Sequence, residues 1–399
     1  RGGNGRSPLD VAEVPVFQVA LSTATRKAWS EAERGLSPAD LAMHVVLPEV
    51  DGRIFAGVAS CKDPQAQDPA LEFSRFAHSP VPDRIDALAD RIAAWHHLAR
   101  AEPSERRPAL VLSTYPGRDW NMAHAVGLDA PASTNAILTE LAQEGHDCAP
   151  QRELIHRLST EFIHWPMAKY RANLARLDRA LRDELQAAWD APELDLEVQD
   201  GDFAFRAIRS GKALIALQPE RGTPETRSDE YHDLSRVPRH AYVAFYLWLQ
   251  EQADALIHIG AHGTLEWLPG KATALSALCW PEVLVCDLPV INPFIVNDPG
   301  EAAQAKRRSG AVTLGHLPPP LKAAGAGDKL ARLEALLDEF SNADGLDPQR
   351  RERLIGDIRE EARAAGVEAD LGLAEGFCSA EAITRIDSFV CDVKDSQFG

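Results

Sequence analysis

Residues 238–252 read as a helix with almost no polar face. Tyr242, Val243, Phe245, Tyr246, Leu247 and Leu249 leave no stripe for water, so such a helix must be covered on several sides. Pro238 suits its first turn. The apolar run 254–259 follows almost at once and reads as a strand. Together they predict a helix and a strand in the interior of a large α/β body. Elsewhere, short apolar runs alternate with amphipathic segments, which favours parallel strands. Strands are predicted over 14–21, 108–114, 212–217, 283–286 and 294–296. Helices are predicted over 133–144, with Ser133 as N-cap and Gly145 as stop, and over 171–189, where Leu174, Leu177, Leu181 and Leu185 share a side. Further helices are predicted over 299–308, with Lys306, Arg307 and Arg308 suiting the dipole at its end, and over 328–340 and 348–365. The fold class is α/β: parallel-stranded Rossmann-like sheets flanked by helices, with a helical C-terminal part. The reading divides the chain into an N-terminal α/β segment (1–105), a central α/β region carrying the candidate cleft (106–316) and a mainly helical tail (317–399). Prolines and glycines mark a hinge over 317–327.

Three loops, 115–132, 218–237 and 260–276, each follow a short apolar strand and far exceed the usual length of about four to six residues. They carry Trp, Tyr, His and Pro rather than Ser/Gly filler, which favours ordered, working loops. If their strands are parallel, all three loops leave one edge of the sheet, where open α/β folds bind ligands. The third holds the densest chemistry. His258, His262 and Glu266 stand at even spacing around Gly260 and Gly263. Imidazole and carboxylate bind divalent metals and move protons. The order is not that of a HExxH metalloprotease helix. Spacing alone also allows a hydrogen-bonded core histidine at His258, and for Glu266 an ion pair with Lys271 or a carboxylate at a helix N-terminus.

Composition excludes several classes. A formal charge of −18 makes a poor general nucleic-acid binder. No apolar run of about twenty residues occurs, so no membrane span is expected. No signal peptide is visible. Six cysteines without a CxxC pair read as reduced thiols of a cytoplasmic protein. Cys279 and Cys286 are expected to be buried packing thiols. Neither GxxxxGK[ST] nor GxGxxG occurs, and Ala272 follows Gly270-Lys271, so ATP is not expected on a P-loop here.

The segment from Ala255 to Lys271 resembles the signature of the large subunit of aerobic cobaltochelatase, CobN, and of its relative, the porphyrin-binding H subunit of magnesium chelatase. The resemblance continues through Cys279-Trp-Pro-Glu282, Pro293-Phe-Ile-Val-Asn-Asp-Pro-Gly-Glu301, Gln304-Ala-Lys-Arg-Arg308 and His316-Leu-Pro-Pro-Pro320. Upstream it covers Gln218-Pro-Glu-Arg-Gly222, Tyr231-His-Asp233, Ala244-Phe-Tyr-Leu-Trp248 and Gly127-Leu-Asp-Ala-Pro-Ala-Ser133, and reaches back to Leu36–Met43 with Leu47–Ile54. Known members are much longer, so a central fragment of a larger protein is expected. Where cobaltochelatases often read Gly-Lys-His-Gly-Asn, this chain has Gly260-Ala-His-Gly-Thr264. His124 stands where asparagine is common, and Ala241 where a second histidine often follows His240. Tryptophan after Glu266 is closer to the cobalt branch.

The resemblance implies a tetrapyrrole-binding large subunit of an ATP-dependent chelatase, a ligase forming nitrogen–metal bonds. It would insert Co2+ into hydrogenobyrinate a,c-diamide in cobalamin biosynthesis. ATP and Mg2+ would be handled by partners, an AAA-type ATPase subunit and its companion. The alternatives are a magnesium-chelatase H-like subunit acting on protoporphyrin IX, a tetrapyrrole-binding module without catalysis, or an ordinary metallohydrolase. Metal insertion needs a base for an inner N–H proton, transient metal ligands and a grip on the macrocycle. Glu266 and His262 are the catalytic candidates, with His258, His262 and Glu266 as metal ligands. Arg118, Arg221, His240, Trp267 and Lys271 are the substrate-binding candidates. Arginine grips carboxylates in bidentate fashion and tryptophan can stack on the ring. Trp120 and His232 are further candidates.

Overall fold

The structure is a computed structural model that describes residues 14–113, 128–222, 234–260, 264–295, 299–316, 332–333, 335–337, 339–340, 348–370, 383, 386 and 390. The chain divides into two units, Arg1–Leu317 and Pro318–Gly399. The first carries two sheets. The smaller contains β1 (Phe17–Ser22), β2 (Ile54–Pro64) and β3 (Phe76–Pro80) in that order, with β1 parallel and β3 antiparallel to β2. The larger is built from β4 (Pro108–Leu112), β5 (Phe162–Trp165), β6 (Val198–Gln199), β7 (Asp202–Ser210), β8 (Ala213–Leu217), β9 (Ala255–Ile259), β10 (Val290–Ile295) and β11 (Val312–His316). Its order is β11-β10-β9-β4-β8-β7-β5, with β6 paired to β7. The strands from β11 to β8 run parallel, and β7 turns back antiparallel onto β8.

β4, β8 and β9 are buried along their whole length, as strands covered on both faces must be. Side-chain parity sorts them into two cores. Ala109, Val111, Leu214, Ala216 and Leu256 pack with the helix His240–Gln252. Leu110, Leu112, Ile215, Leu217, Ile257 and Ile259 pack on the other face with the helices Ala130–Gln143 and Leu154–Thr160. Every residue of the central helix from His240 to Leu249 is buried, as its composition predicts. Its start is pinned by charge. Arg239 reaches Asp195 at 2.9 Å and Glu197 at 3.0 Å, while Asp195 Oδ2 accepts from Ala241 N at 2.8 Å. The second unit is helical where described. Leu333, Leu337, Ile358, Ala362 and Val367 share a small core there, beside the helix Pro348–Ala364.

Four local expectations are corrected. Residues 280–285 form a helix rather than a strand, because Pro281 and Glu282 occupy its first turn, where a missing N–H and a negative charge both suit. Cys286 ends that helix with φ 55° and is exposed, not buried. The helix expected from Ser133 starts at Ala130. Asp129 caps it by accepting from Ala132 N at 2.8 Å, and an upstream Asp serves better than a Ser inside the turn. The span 171–189 is two helices, Met167–Leu174 and Arg179–Trp189, the second capped by Asp178. Of 328–340, the described residues are helical.

The segment 29–35, just after β1, is laced to the loop after β9. Trp29 Nε1 donates to Ala274 O at 3.1 Å and Ala272 N to Glu33 O at 2.9 Å. Gly35 sits at φ +80°, and a Cβ there would lie 1.9 Å from Thr273 O. Gly35→Ala therefore combines left-handed strain with a backbone collision. It is expected to lower the unfolding free energy by about 2 kcal/mol or more. Urea denaturation checks this, and an unchanged midpoint would contradict it.

Candidate functional site

Register places three loop starts side by side. Leu112 of β4 pairs with Leu217 of β8 and with Ile259 of β9. One residue further, Gln218 N donates to Leu112 O and Ser113 N to Ile259 O, each at 2.9 Å. The segments after Leu112, Leu217 and Ile259 thus leave one edge from three adjacent parallel strands, the position at which α/β sheets bind ligands. Parity turns Ser113, Gln218 and His258 toward the central helix. Ser113 is 4% exposed, and its Oγ has no hydrogen-bond partner among the described residues.

Under this edge lies a buried polar network. Gln218 Nε2 donates to Tyr242 Oη at 2.7 Å and to Tyr246 Oη at 2.6 Å. Each phenol accepts from the amide and can turn its own hydrogen outward. Tyr242 meets Thr264 Oγ1 at 2.8 Å, and Tyr246 faces His258 Nε2 at 3.4 Å. A carboxamide does not relay protons as an imidazole does. The network therefore fixes positions: it joins the ends of β8 and β9, the helix and the first described residue of the third loop after Gly260. Burial pushes Tyr242 well above the usual phenol range, and the neighbouring Tyr246 and the Glu266 carboxylate add to the effect.

Glu266 is 3% exposed, in the single helical turn Leu265–Trp267. That turn is gripped from below by Arg308, the penultimate residue of the helix Pro299–Ser309. Its guanidinium, also 3% exposed, donates to the carbonyls of Glu266, Leu268 (2.7 Å) and Lys271 (3.0 Å). Burial pushes Arg308 down to about 10, with Cys279 and Glu266 opposing. Arg221 ties the second loop to the third by donating to Trp267 O at 3.0 Å, and Trp267 Nε1 donates to Glu301 at 2.9 Å. The loop closes over Cys279, whose Sγ accepts from Lys271 N at 3.3 Å and Ser276 N at 3.4 Å. Gly270 permits this closure, since a Cβ there would stand 2.7 Å from that of Cys279.

The structure thus brings together His258, Glu266, Arg221 and Trp267 of the residues singled out from sequence. Arg118, Trp120, His124, His232 and His262 lie outside the described residues. Two candidates are bonded within the fold. Lys271 is buried, and its Nζ donates to Ser30 O and Ala32 O, both at 2.8 Å, over the Trp29 ring. Its ammonium holds the loop to the N-terminal segment instead of facing a substrate. His240 is 2% exposed. Its Nε2 donates to Asp190 O at 3.0 Å, so Nδ1 accepts from Tyr170 Oη at 2.6 Å and no ring nitrogen is left for a ligand. Among the described residues, no three His, Cys, Asp or Glu side chains gather to hold a metal ion. Sequence reading missed Ser113, Gln218, Tyr242, Tyr246, Thr264 and Arg308 as site residues. The tyrosines carried a signal, because two phenols one turn apart on a helix without a wet face need buried partners.

The family model CobN/Magnesium Chelatase matches residues 3–399. The chain belongs to the CobN/magnesium chelatase family. It is 39% identical over 99% of its length to the aerobic cobaltochelatase subunit CobN of a Sinorhizobium species. It is 29% identical over 90% of its length to the H subunit of magnesium chelatase from Rhodobacter capsulatus. Among solved structures, the catalytic subunit of cobaltochelatase from Mycobacterium tuberculosis superposes with a TM-score of 0.71 at 35% identity, over 97% of this chain and 34% of that one. The chain spans about a third of the length of these relatives. Among the described residues, no helix is long and apolar enough to cross a membrane.

Two outcomes follow from the buried polar groups. Tyr242→Phe removes the partner of Thr264 and one acceptor of Gln218, and is expected to cost about 1–2 kcal/mol of stability in chemical denaturation. A change near zero would mean that water replaces the phenol. His240 is held below its ordinary 6.5 by burial, against the hydrogen bond to Asp190 and the charges of Asp195 and Glu193. The unfolded chain then binds more protons, so stability is complete above pH 6.5 and falls as the pH drops below it. His146, also lowered by burial, acts in the same direction. Urea midpoints from about pH 8 to about pH 5 should fall across this window for the parent and fall less steeply for His240→Gln. Parallel curves would contradict the assignment.

Proposed function

We propose that this chain is the macrocycle- and metal-handling core of a cobaltochelatase large subunit, a ligase that inserts Co2+ into hydrogenobyrinate a,c-diamide. The observation that carries the reading is Glu266. It is a buried carboxylate on the third of three loops leaving adjacent parallel strands, near enough for its charge to act on both the Tyr242 phenol and the Arg308 guanidinium. A carboxylate so held can accept an inner N–H proton or coordinate the entering cation briefly. His262 is the second candidate for that work, and His258 completes the proposed transient ligands. Cobalt accepts imidazole readily, whereas magnesium prefers oxygen. Arg118 and Arg221 are proposed for the macrocycle carboxylates, and Trp267 for its face. Lys271 and His240 are given supporting roles instead. The higher identity to the cobalt relative supports cobalt over magnesium. ATP hydrolysis, with its Mg2+, falls in this reading to an AAA-type partner and a companion subunit, in the cytoplasm.

The test uses the full-length large subunit reconstituted with its ATPase partners, Co2+, ATP and the macrocycle. Glu266→Gln should lower the insertion rate about 100-fold or more while leaving macrocycle affinity within about twofold, read by fluorescence quenching. Undiminished turnover would remove Glu266 from the mechanism. In the same titration, hydrogenobyrinate a,c-diamide should bind more tightly than protoporphyrin IX. The reverse order would move the assignment to the magnesium branch.

A further inference from the structure

A polar cavity lies between the β2 strand, the helix Pro82–Arg100 and the helices Trp280–Val285 and Pro299–Ser309, with Leu275 of the third loop on its wall. It measures about 20 Å³, room for about one or two water-sized particles or for a single small ion. Arg84, Arg91, Arg307 and Arg308 line it together with Glu282 and Gly310. Arg84, Arg91 and Arg308 are each at most 7% exposed. We propose that this cavity binds a single small inorganic anion of chloride size.

The charge count and the unused donors carry the proposal. Glu282 is shared by two arginines, Arg84 Nη1 at 2.8 Å and Arg91 Nη2 at 3.2 Å. Arg84 also reaches Asp83, a half-exposed residue, at 2.9 Å. Arg307 is matched by Glu49, at 2.8 and 3.1 Å. Among the described residues Arg308 meets only carbonyls within hydrogen-bond reach, and its carboxylate neighbour Glu266 acts on it through space. Four guanidinium groups thus face four carboxylates among the described residues, but Asp83 is half-exposed and Glu266 acts on Arg308 only through space. Arg91 donates through Nη1 to Ala56 O at 2.7 Å and through Nη2 to Cys286 O at 3.2 Å, yet its Nε–H is buried with no partner among the described residues. A buried charge with no direct ion pair and an orphaned charged donor are both costly. A monovalent anion resolves both. Water would satisfy the donor and leave Arg308 without a direct counter-charge. The bound anion would couple the helix Pro82–Arg100 to Arg308, and so to the carbonyls of the loop that carries Glu266. None of its lining residues is a proposed catalytic, metal or macrocycle contact, so the anion site does not depend on the chelatase reading.

Crystals of the 399-residue chain grown in bromide test it directly. An anomalous peak is expected in the cavity beside Arg91 Nε, and an empty cavity in that map would overturn the proposal. In solution, thermal midpoints in sodium chloride or bromide should exceed those in sodium gluconate at equal ionic strength. Arg91→Met should abolish that halide-specific increment, and Glu282→Gln, which adds one positive charge to the cavity, should enlarge it. A bromide peak without any halide-specific shift in the parent chain would mean binding at crystal concentration only, and would also overturn it. The bromide map and the parent midpoints decide the matter even if Arg91→Met fails to fold.

Discussion

A helix with no solvent face must find partners for its own polar groups, and in this protein that requirement shapes the site. Tyr242 and Tyr246 lie in the middle of the helix His240–Gln252, fully buried, where a lone phenol would be costly. Their hydroxyls converge on one amide, Gln218, at the end of β8, and extend from there to Thr264 and His258. Satisfying the helix therefore fixes the ends of two neighbouring strands and the third loop relative to each other. The same core that excludes water from the helix positions the polar residues above it.

The third loop is then held on its other sides by groups distant in sequence. Arg308 grips three of its carbonyls, Lys271 pins it to the segment after β1, and Cys279 closes its base. Backbone carbonyls bonded in this way cannot drift, so Glu266 is presented by a rigid support. Held so, a carboxylate can meet a reacting group with little reorganisation. The arginine-lined cavity shares Arg308 with this support, so one side chain borders both the arginine cluster and the Glu266 turn.

The fold and the edge were legible because hydrophobic periodicity is local. The all-apolar helix, the three buried strands and the unusual length of the loops after them can be read from short windows. What was not legible depends on partners far along the chain. Lys271 and His240 looked available because charge and ring nitrogens are visible in sequence, while the carbonyls of Ser30, Ala32 and Asp190 that occupy them are not. Arg308 looked like a helix-dipole complement, since nothing nearby reveals that it faces inward. The strand expected over 283–286 failed because β-branched residues outweighed the start signal of Pro281 and Glu282. The segment 171–189 was read as one helix because the leucine period continues across the break that Asp178 caps.

A structure of the full-length large subunit with the macrocycle bound tests the proposed role of Glu266 at its source. The ring is expected against the C-terminal edge of β8, β4 and β9, with the Glu266 carboxylate directed at its inner nitrogens. A macrocycle seated elsewhere, with Glu266 still enclosed and out of its reach, would rule that role out.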